Sequence, residues 1–163
     1  MTDRPIPGPR SIISVEDRLA AMDIVTRYTH LYDAGVTSGL GELFTEDAVM
    51  ETAPQPAIPV PGYPFPARGR VAIVEALSGF QGAFADVRRH HLADAPTLTL
   101  LDDDRLRSVA SFAVIHSAAG ASTEIVGAGW YEDEIVRETD GQWRIRHRVV
   151  HRDRRGAQVD RYY

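Results

Sequence analysis

The sequence predicts an α+β fold in which helices come first and a long antiparallel sheet follows. Three observations carry this. Apolar side chains recur at three- and four-residue steps over residues 15–32. Beyond about residue 87 the chain turns to β-branched and aromatic runs separated by short polar turns. Between the two regions, residues 54–66 hold six of the ten prolines, a density that neither a helix nor a sheet interior tolerates. This order suits a cone-shaped, curved sheet wrapped around N-terminal helices, with a pocket at its mouth.

Residues 1–13 carry no apolar stretch like that of a secretion signal and are expected to be a flexible leader. Residues 14–152 are expected to form one domain, and 153–163 a polar tail. Ser14 opens the first helix: Ser-Val-Glu-Asp resembles a capping box, with acidic side chains at the positive end of the helix dipole. Val15, Leu19, Met22, Val25, Tyr28 and Tyr32 mark its apolar stripe, and Gly35 supplies the left-handed stop. Residues 37–44 read as a shorter helix ended by Thr45, Glu46 and Asp47, and residues 48–51 as a short strand. The proline-rich segment is then a stiff loop suited to a lid or a dimer contact. A further helix spans residues 69–77, with Val71, Val74 and Leu77 on one face.

Strands follow at residues 98–101, 106–116, 124–136 and 143–150, with Asp140-Gly141 a strong hairpin signal. In the last strand Trp143, Ile145, His147 and Val149 alternate with Arg144, Arg146 and Arg148. The apolar set is expected on the core face and the arginines in water, paired with Glu132, Asp133, Glu134 and Glu138.

Composition removes several kinds of chemistry. The 163 residues suffice for one domain with a real core and are short for two. With no Cys, disulfides, thiolate catalysis and Cys-based metal centres are excluded. All 18 basic residues are Arg, so no side-chain amine is present to form a Schiff base. A net charge of -5 argues against nucleic acid or an anionic membrane as partner. No apolar run has membrane-spanning length, and a cytoplasmic location is expected. Neither a metal nor another cofactor is expected, since no histidine pair sits at helical ligand spacing and no glycine-rich phosphate loop occurs.

Asp33, His90, His91, His116 and His147 stand out as ionisable groups in apolar settings. A carboxylate at a helix end, an imidazole on a strand facing it and a neighbouring tyrosine make a general acid–base set. One of His90 and His91 must face away from any pocket, because they are adjacent on a strand. Ordinary structural roles fit the same residues: Asp33 as a helix-end turn residue, His116 at a strand edge, Tyr28 and Tyr32 as core.

Six segments together resemble the SnoaL-like branch of the NTF2-like superfamily. They are 28–35 (Tyr-Thr-His-Leu-Tyr-Asp-Ala-Gly), 43–49 (Leu-Phe-Thr-Glu-Asp-Ala-Val), 69–73 (Gly-Arg-Val-Ala-Ile), 89–92 (Arg-His-His-Leu), 129–133 (Gly-Trp-Tyr-Glu-Asp) and 140–145 (Asp-Gly-Gln-Trp-Arg-Ile). The chain looks most like the scytalone-dehydratase-type and bile-acid-dehydratase-type members. That resemblance implies an Asp33–His91 dyad that removes a proton beside a carbonyl. It further implies His116 as assistant to the leaving hydroxyl, and Tyr28 and Tyr32 as groups that polarise the carbonyl. Met50, Phe65, Phe112, Val114, Trp130, Trp143, Ile145 and His147 are the expected apolar walls, for a small hydrophobic polyketide-like, aromatic or steroid-like substrate. A homodimer is expected from related folds. The alternatives are a non-catalytic ligand-binding or dimerisation domain, a polyketide cyclase, and the β subunit of a ring-hydroxylating dioxygenase.

Overall fold

The structure, a computed structural model, describes residues 12–53, 66–82 and 87–153. The proline-rich loop as far as Phe65, most of the leader and the tail beyond Asp153 lie outside the described residues. Helix α1 (Val15–Ala34) starts where expected, its Asp17 N–H donating to the Ser14 hydroxyl at 3.0 Å. Gly35, at φ 72°, ends it, and the Val36 N–H returns to the Leu31 carbonyl at 2.9 Å. The buried stripe is Ala21, Ile24, Val25, Tyr28 and Tyr32, whereas Val15 and Leu19 stand 68% and 59% exposed. The apolar stripe is therefore buried along the C-terminal two-thirds of the helix.

Helix α2 (Thr37–Glu42) is shorter than the sequence suggests, because strand β1 (Phe44–Thr52) already begins at Phe44 and takes in Thr45 to Asp47. A two-residue strand β2 (Ala67–Arg68), not foreseen, pairs with β1. Helix α3 (Arg70–Gly82) buries Ile73 and Leu77; Val71, expected on that face, is 70% exposed. Strands β3 (Arg88–Ala93), β4 (Thr97–Asp102), β5 (Arg105–Ser117), β6 (Glu124–Arg137) and β7 (Trp143–Arg152) complete one seven-stranded sheet.

The order is β2-β1-β7-β6-β5-β3, with β4 continuing the β3 edge along the other end of β5. The α+β class with N-terminal helices and a curved sheet is as expected, with one correction. The sheet is mixed: β1 runs parallel to β7, and the other pairings are antiparallel. A parallel neighbour needs a long crossover, and here the helices and meander between β1 and β7 supply it. Curvature is assisted by a register shift between Glu134 and Ile135, where Arg146 is the extra residue on β7, and by another between Val114 and Ile115, where Val126 is extra on β6.

The shift at Arg146 overturns the expected alternation of β7. Trp143 and Ile145 face inward before it; after it Arg148 (0% exposed) and Val150 (2%) do, and His147 turns outward. The core between sheet and helices is built from α1's stripe with Phe44, Met50, Leu106, Phe112, Val114, Tyr131 and Ile135. Among the described residues no helix is long and apolar enough to cross a membrane.

Candidate active site

The end of α1 and the edge strand β3 bring Asp33 and His91 together. One Asp33 oxygen lies 2.5 Å from His91 Nδ1, and the other accepts the His91 backbone N–H at 2.6 Å. The two side chains are 14% and 5% exposed. Both contacts have a local cause. The left-handed Gly35 halts the helix one turn past Tyr32, and the Gln81 side-chain amide holds the Tyr32 carbonyl at 2.7 Å, fixing the last turn. Among the described residues β3 is an edge strand, so a carboxylate is a natural partner for its outward N–H. With Asp33 accepting from Nδ1–H, the imidazole is held in the tautomer that leaves Nε2 as the basic nitrogen. Of the adjacent histidines it is His91 that is buried, and His90 is exposed.

An aromatic layer continues inward from this pair. The Tyr32 ring lies 5.1 Å from the His91 ring, Tyr28 lies 5.8 Å from Tyr32, and Tyr131 lies 5.6 Å from Tyr28 at a steep angle. Phe112 stacks on Tyr131 at 4.4 Å. Beneath Tyr28 and Tyr131 sits Arg148, its guanidinium carbon 4.1 Å and 4.4 Å from their ring centres. Asp133 grips it through two bonds of 2.7 Å, a fork-to-carboxylate match. Burial weakens Arg148's hold on its proton, but the Asp133 carboxylate outweighs that and the net shift is upward, so the guanidinium stays charged. Its Nη1 has no hydrogen-bond partner among the described residues.

Arg148, Asp133 and Tyr131 were not among the expected site residues. The consecutive Val149 and Val150 break a strict period-two pattern, and that was the available signal that β7 changes face.

Other expected residues divide into two groups. His116 stands on the inner face opposite Arg89, and Val114 opposite His91, so His116 lies one diagonal step from His91, about 7–8 Å between Cα atoms. Phe112, Val114 and Met50 are buried in the core on the inner face, with Met50 beside Arg148 in the register of β1 and β7. Three walls are elsewhere. Trp130 stacks on His151 at 4.5 Å on the outer face, the parity opposite to buried Tyr131. His147 lies on that outer face too, bound to Glu51 at 2.9 Å and 41% exposed. Trp143 points inward but at the N-terminal end of α1, donating its indole N–H to Asp17 at 2.9 Å. Asp17 and Asp33 are sixteen residues apart on one helix, about 24 Å, so Trp143 and the Asp33–His91 pair do not share a cavity.

Among the described residues no group of three or more His, Cys, Asp or Glu side chains is placed to hold a metal ion. An open groove of about 530 Å³ runs along α3 from Pro66 to Phe80 and contains none of the expected site residues.

Comparison with known proteins agrees with the fold. The family model described as a SnoaL-like domain matches residues 14–149. No curated protein matches the chain significantly. Among solved structures, an Asp-to-Asn variant of Rv3472, a protein of unknown function from Mycobacterium tuberculosis, is 26% identical, with a TM-score of 0.71 over 90% of this chain and 85% of that one. ActVI-ORFA from Streptomyces coelicolor is 22% identical, TM-score 0.69, over 83% and 96%. A candidate scytalone dehydratase from Novosphingobium aromaticivorans is 21% identical, TM-score 0.68, over 91% and 97%. At the identities of the last two, the likeness establishes a shared fold.

Proposed function

The chain belongs to the SnoaL-like domain family, and on that premise we propose that it is an acid–base enzyme, a dehydratase or isomerase acting on a small hydrophobic carbonyl compound. The observation that carries this reading is the double contact of Asp33 with His91 at 2.5 Å and 2.6 Å in a nearly dry setting. His91 Nε2 takes the proton from the carbon beside the carbonyl, while Asp33 holds Nδ1–H and stabilises the imidazolium that forms. A hydroxyl of Tyr28 or Tyr32 donates to the carbonyl oxygen as it gains charge. In a dehydration the electron pair left by that proton forms the new C=C bond. The β-hydroxyl departs as water, its extra proton coming from protonated His116. Proton transfer between side chains and substrate needs no further cofactor. The apolar ring walls of Phe112, Tyr131 and Tyr28 favour a polyketide-like, aromatic or steroid-like skeleton.

Asp33→Asn and His91→Ala, assayed on a panel of β-hydroxy ketones, are each expected to lower kcat by at least about 10²-fold, within the usual contribution of positioned acid–base groups. Losses below that in both variants refute the dyad. A second reading draws on the His91 backbone N–H, whose bond to Asp33 seals a sheet edge. On that reading the pair is structural and the cone binds ligand without turnover. No member of the substrate panel would then be converted, and Asp33→Asn would leave ligand affinity unchanged.

A further inference from the structure

The last turn of α3 touches both halves of the Asp33–His91 pair. Gln81 donates its side-chain amide to the Tyr32 carbonyl at 2.7 Å. That carbonyl belongs to the peptide group whose nitrogen is Asp33's own, and a peptide group is planar and turns as one unit. Holding the Tyr32 oxygen therefore holds the plane from which the Asp33 side chain departs. The preceding residue on α3, Phe80, acts on the other half. Its ring centre lies 5.2 Å from the guanidinium carbon of Arg89, and that carbon lies 5.3 Å from the centre of the Tyr32 ring. Arg89 stands two residues before His91 on β3, on the same face of the strand. Tyr32 is thus gripped at its carbonyl by Gln81 and at its ring through Arg89, and its ring lies 5.1 Å from that of His91.

The chemistry of position 81 fits this task. The last turn of α1 has no basic residue, and its terminal carbonyls and the Asp33 carboxylate share one electronegative end. A cationic side chain there would satisfy the carbonyl but compete with His91 for Asp33. An amide satisfies the carbonyl and carries no charge. Gly35 makes room for it: a Cβ at that position would stand 3.3 Å from Gln81 Nε2 and 3.6 Å from Oε1. Helix α3 is a firm base, with Ile73 and Leu77 buried and the Arg70 Nε–H donating to the Phe44 carbonyl at 2.8 Å.

We infer that Gln81, with Phe80 beside it, is a positioning residue for the Asp33–His91 pair: the last turn of α3 sets the spacing of α1 and β3 at which carboxylate and imidazole meet. Its bearing on catalysis rests on the acid–base reading above, whereas the geometry is tested without a substrate. Two protons of the purified chain report it by NMR. The Nδ1–H between His91 and Asp33 is expected to resonate far downfield, as a proton in a short charge-assisted bond does, and to be absent from His91→Ala. The His91 backbone N–H, bound to Asp33 at 2.6 Å, is expected to exchange slowly with solvent. In Gln81→Met the Nδ1–H signal should move upfield. There the His91 amide should exchange at least about tenfold faster relative to the Val25 and Thr29 amides in the buried middle of α1. Gln81→Glu keeps the shape and loses the donor, so it should do as much. Phe80→Leu, which removes the aromatic face beside Arg89, should quicken exchange at His91 by a smaller factor. Wild-type signals in both Gln81 variants overturn the inference, since packing alone then holds the pair. A rise no larger at His91 than at Val25 overturns it too, since Gln81 then adds only to global stability. If the signals respond as expected while no β-hydroxy ketone of the panel is converted, the clamp stands and the acid–base reading fails.

Discussion

Asp133→Asn removes one charge from a pair sealed inside the cone while keeping side-chain shape and one acceptor oxygen. Arg148 is 0% exposed and Asp133 1%, so the remaining guanidinium has no route to water. Opening a buried pair from one side costs about 3–5 kcal/mol. Tyr28 and Tyr131, at 4.1 Å and 4.4 Å from the guanidinium carbon, go on stabilising the cation. That retained cation–π attraction, about 1–2 kcal/mol, moves the expectation to the low end, about 3 kcal/mol. In a chain of this size the melting temperature then falls by about 6–12 °C. Asp133→Leu/Arg148→Met removes both charges and should recover most of the loss, because replacing a whole buried pair by apolar groups is often neutral. Urea unfolding followed by tryptophan fluorescence reads all three proteins. A cost for Asp133→Asn below about 1 kcal/mol, or a double variant no more stable than the single, would refute the claim that Arg148 is a dry, locked support beneath Tyr28.

Further outcomes follow from single contacts. A Cβ on residue 129 would lie 1.9 Å from the His151 carbonyl oxygen, so Gly129→Ala must part β6 from β7. It is expected to cost more than about 3 kcal/mol by thermal melting. Gly35→Ala meets the left-handed φ of 72° and should cost about 1 kcal/mol in the same assay. The indole N–H of Trp143 is the main cause of a lowered Asp17 carboxyl value, acting with Ser14 and Arg137 against partial burial, which raises it. The folded value lies below the unfolded one, so ionised Asp17 stabilises the fold above about pH 4 and that contribution is lost as pH falls through the folded value. Asp17→Asn should therefore lower stability at neutral pH and flatten its decline in acid, measured by urea unfolding across pH 2–7.

Much of the fold was legible because local signals agreed with tertiary packing. Ser14 and Gly35 bound α1 as their chemistry requires. The hairpin joining β6 to β7 falls at Asp140-Gly141, with Gly141 at φ 79°. Adjacent histidines on one strand could not both face inward, and His91 does. The misses on β7 share one cause. Strand parity is a local rule that a single extra residue reverses, and the extra residue is visible only against the partner strand. Arg146 has no intrinsic feature that marks it as the bulge, yet it sends His147 to water and Arg148 into the core. Trp130, expected as a wall, covers the outer face, because Tyr131 has the inward parity of Asp133 and Ile135. The β1–β7 pairing was hidden for another reason: nearly a hundred residues separate Glu51 from its partner Val149, and no local signal reports so distant a neighbour.

Helix α1 meets polar groups of the sheet at three depths, and their differences bear on function. In its first turn Asp17 is held by Trp143 and Arg137. About 16 Å further along the helix, Tyr28 lies against Arg148. At the mouth Asp33 holds His91. The first two contacts join the helix to the central strands β6 and β7, and the third joins it to the edge strand β3. The helix axis is thus fixed by interior contacts that do not include the proposed base. An imidazole and a carboxylate on separate elements hold a 2.5 Å contact only if those elements keep their spacing. If the pair is the proposed acid–base device, that requirement makes Asp17 and Arg148 positioning residues, remote from the reacting atoms. Variants there should lower kcat through a displaced Asp33, as positioning effects at the reacting centre do. A shift of kcat with temperature ahead of global unfolding in Asp133→Asn is the expected signature. If kcat instead tracks the folded fraction alone, the helix serves the site only by being folded.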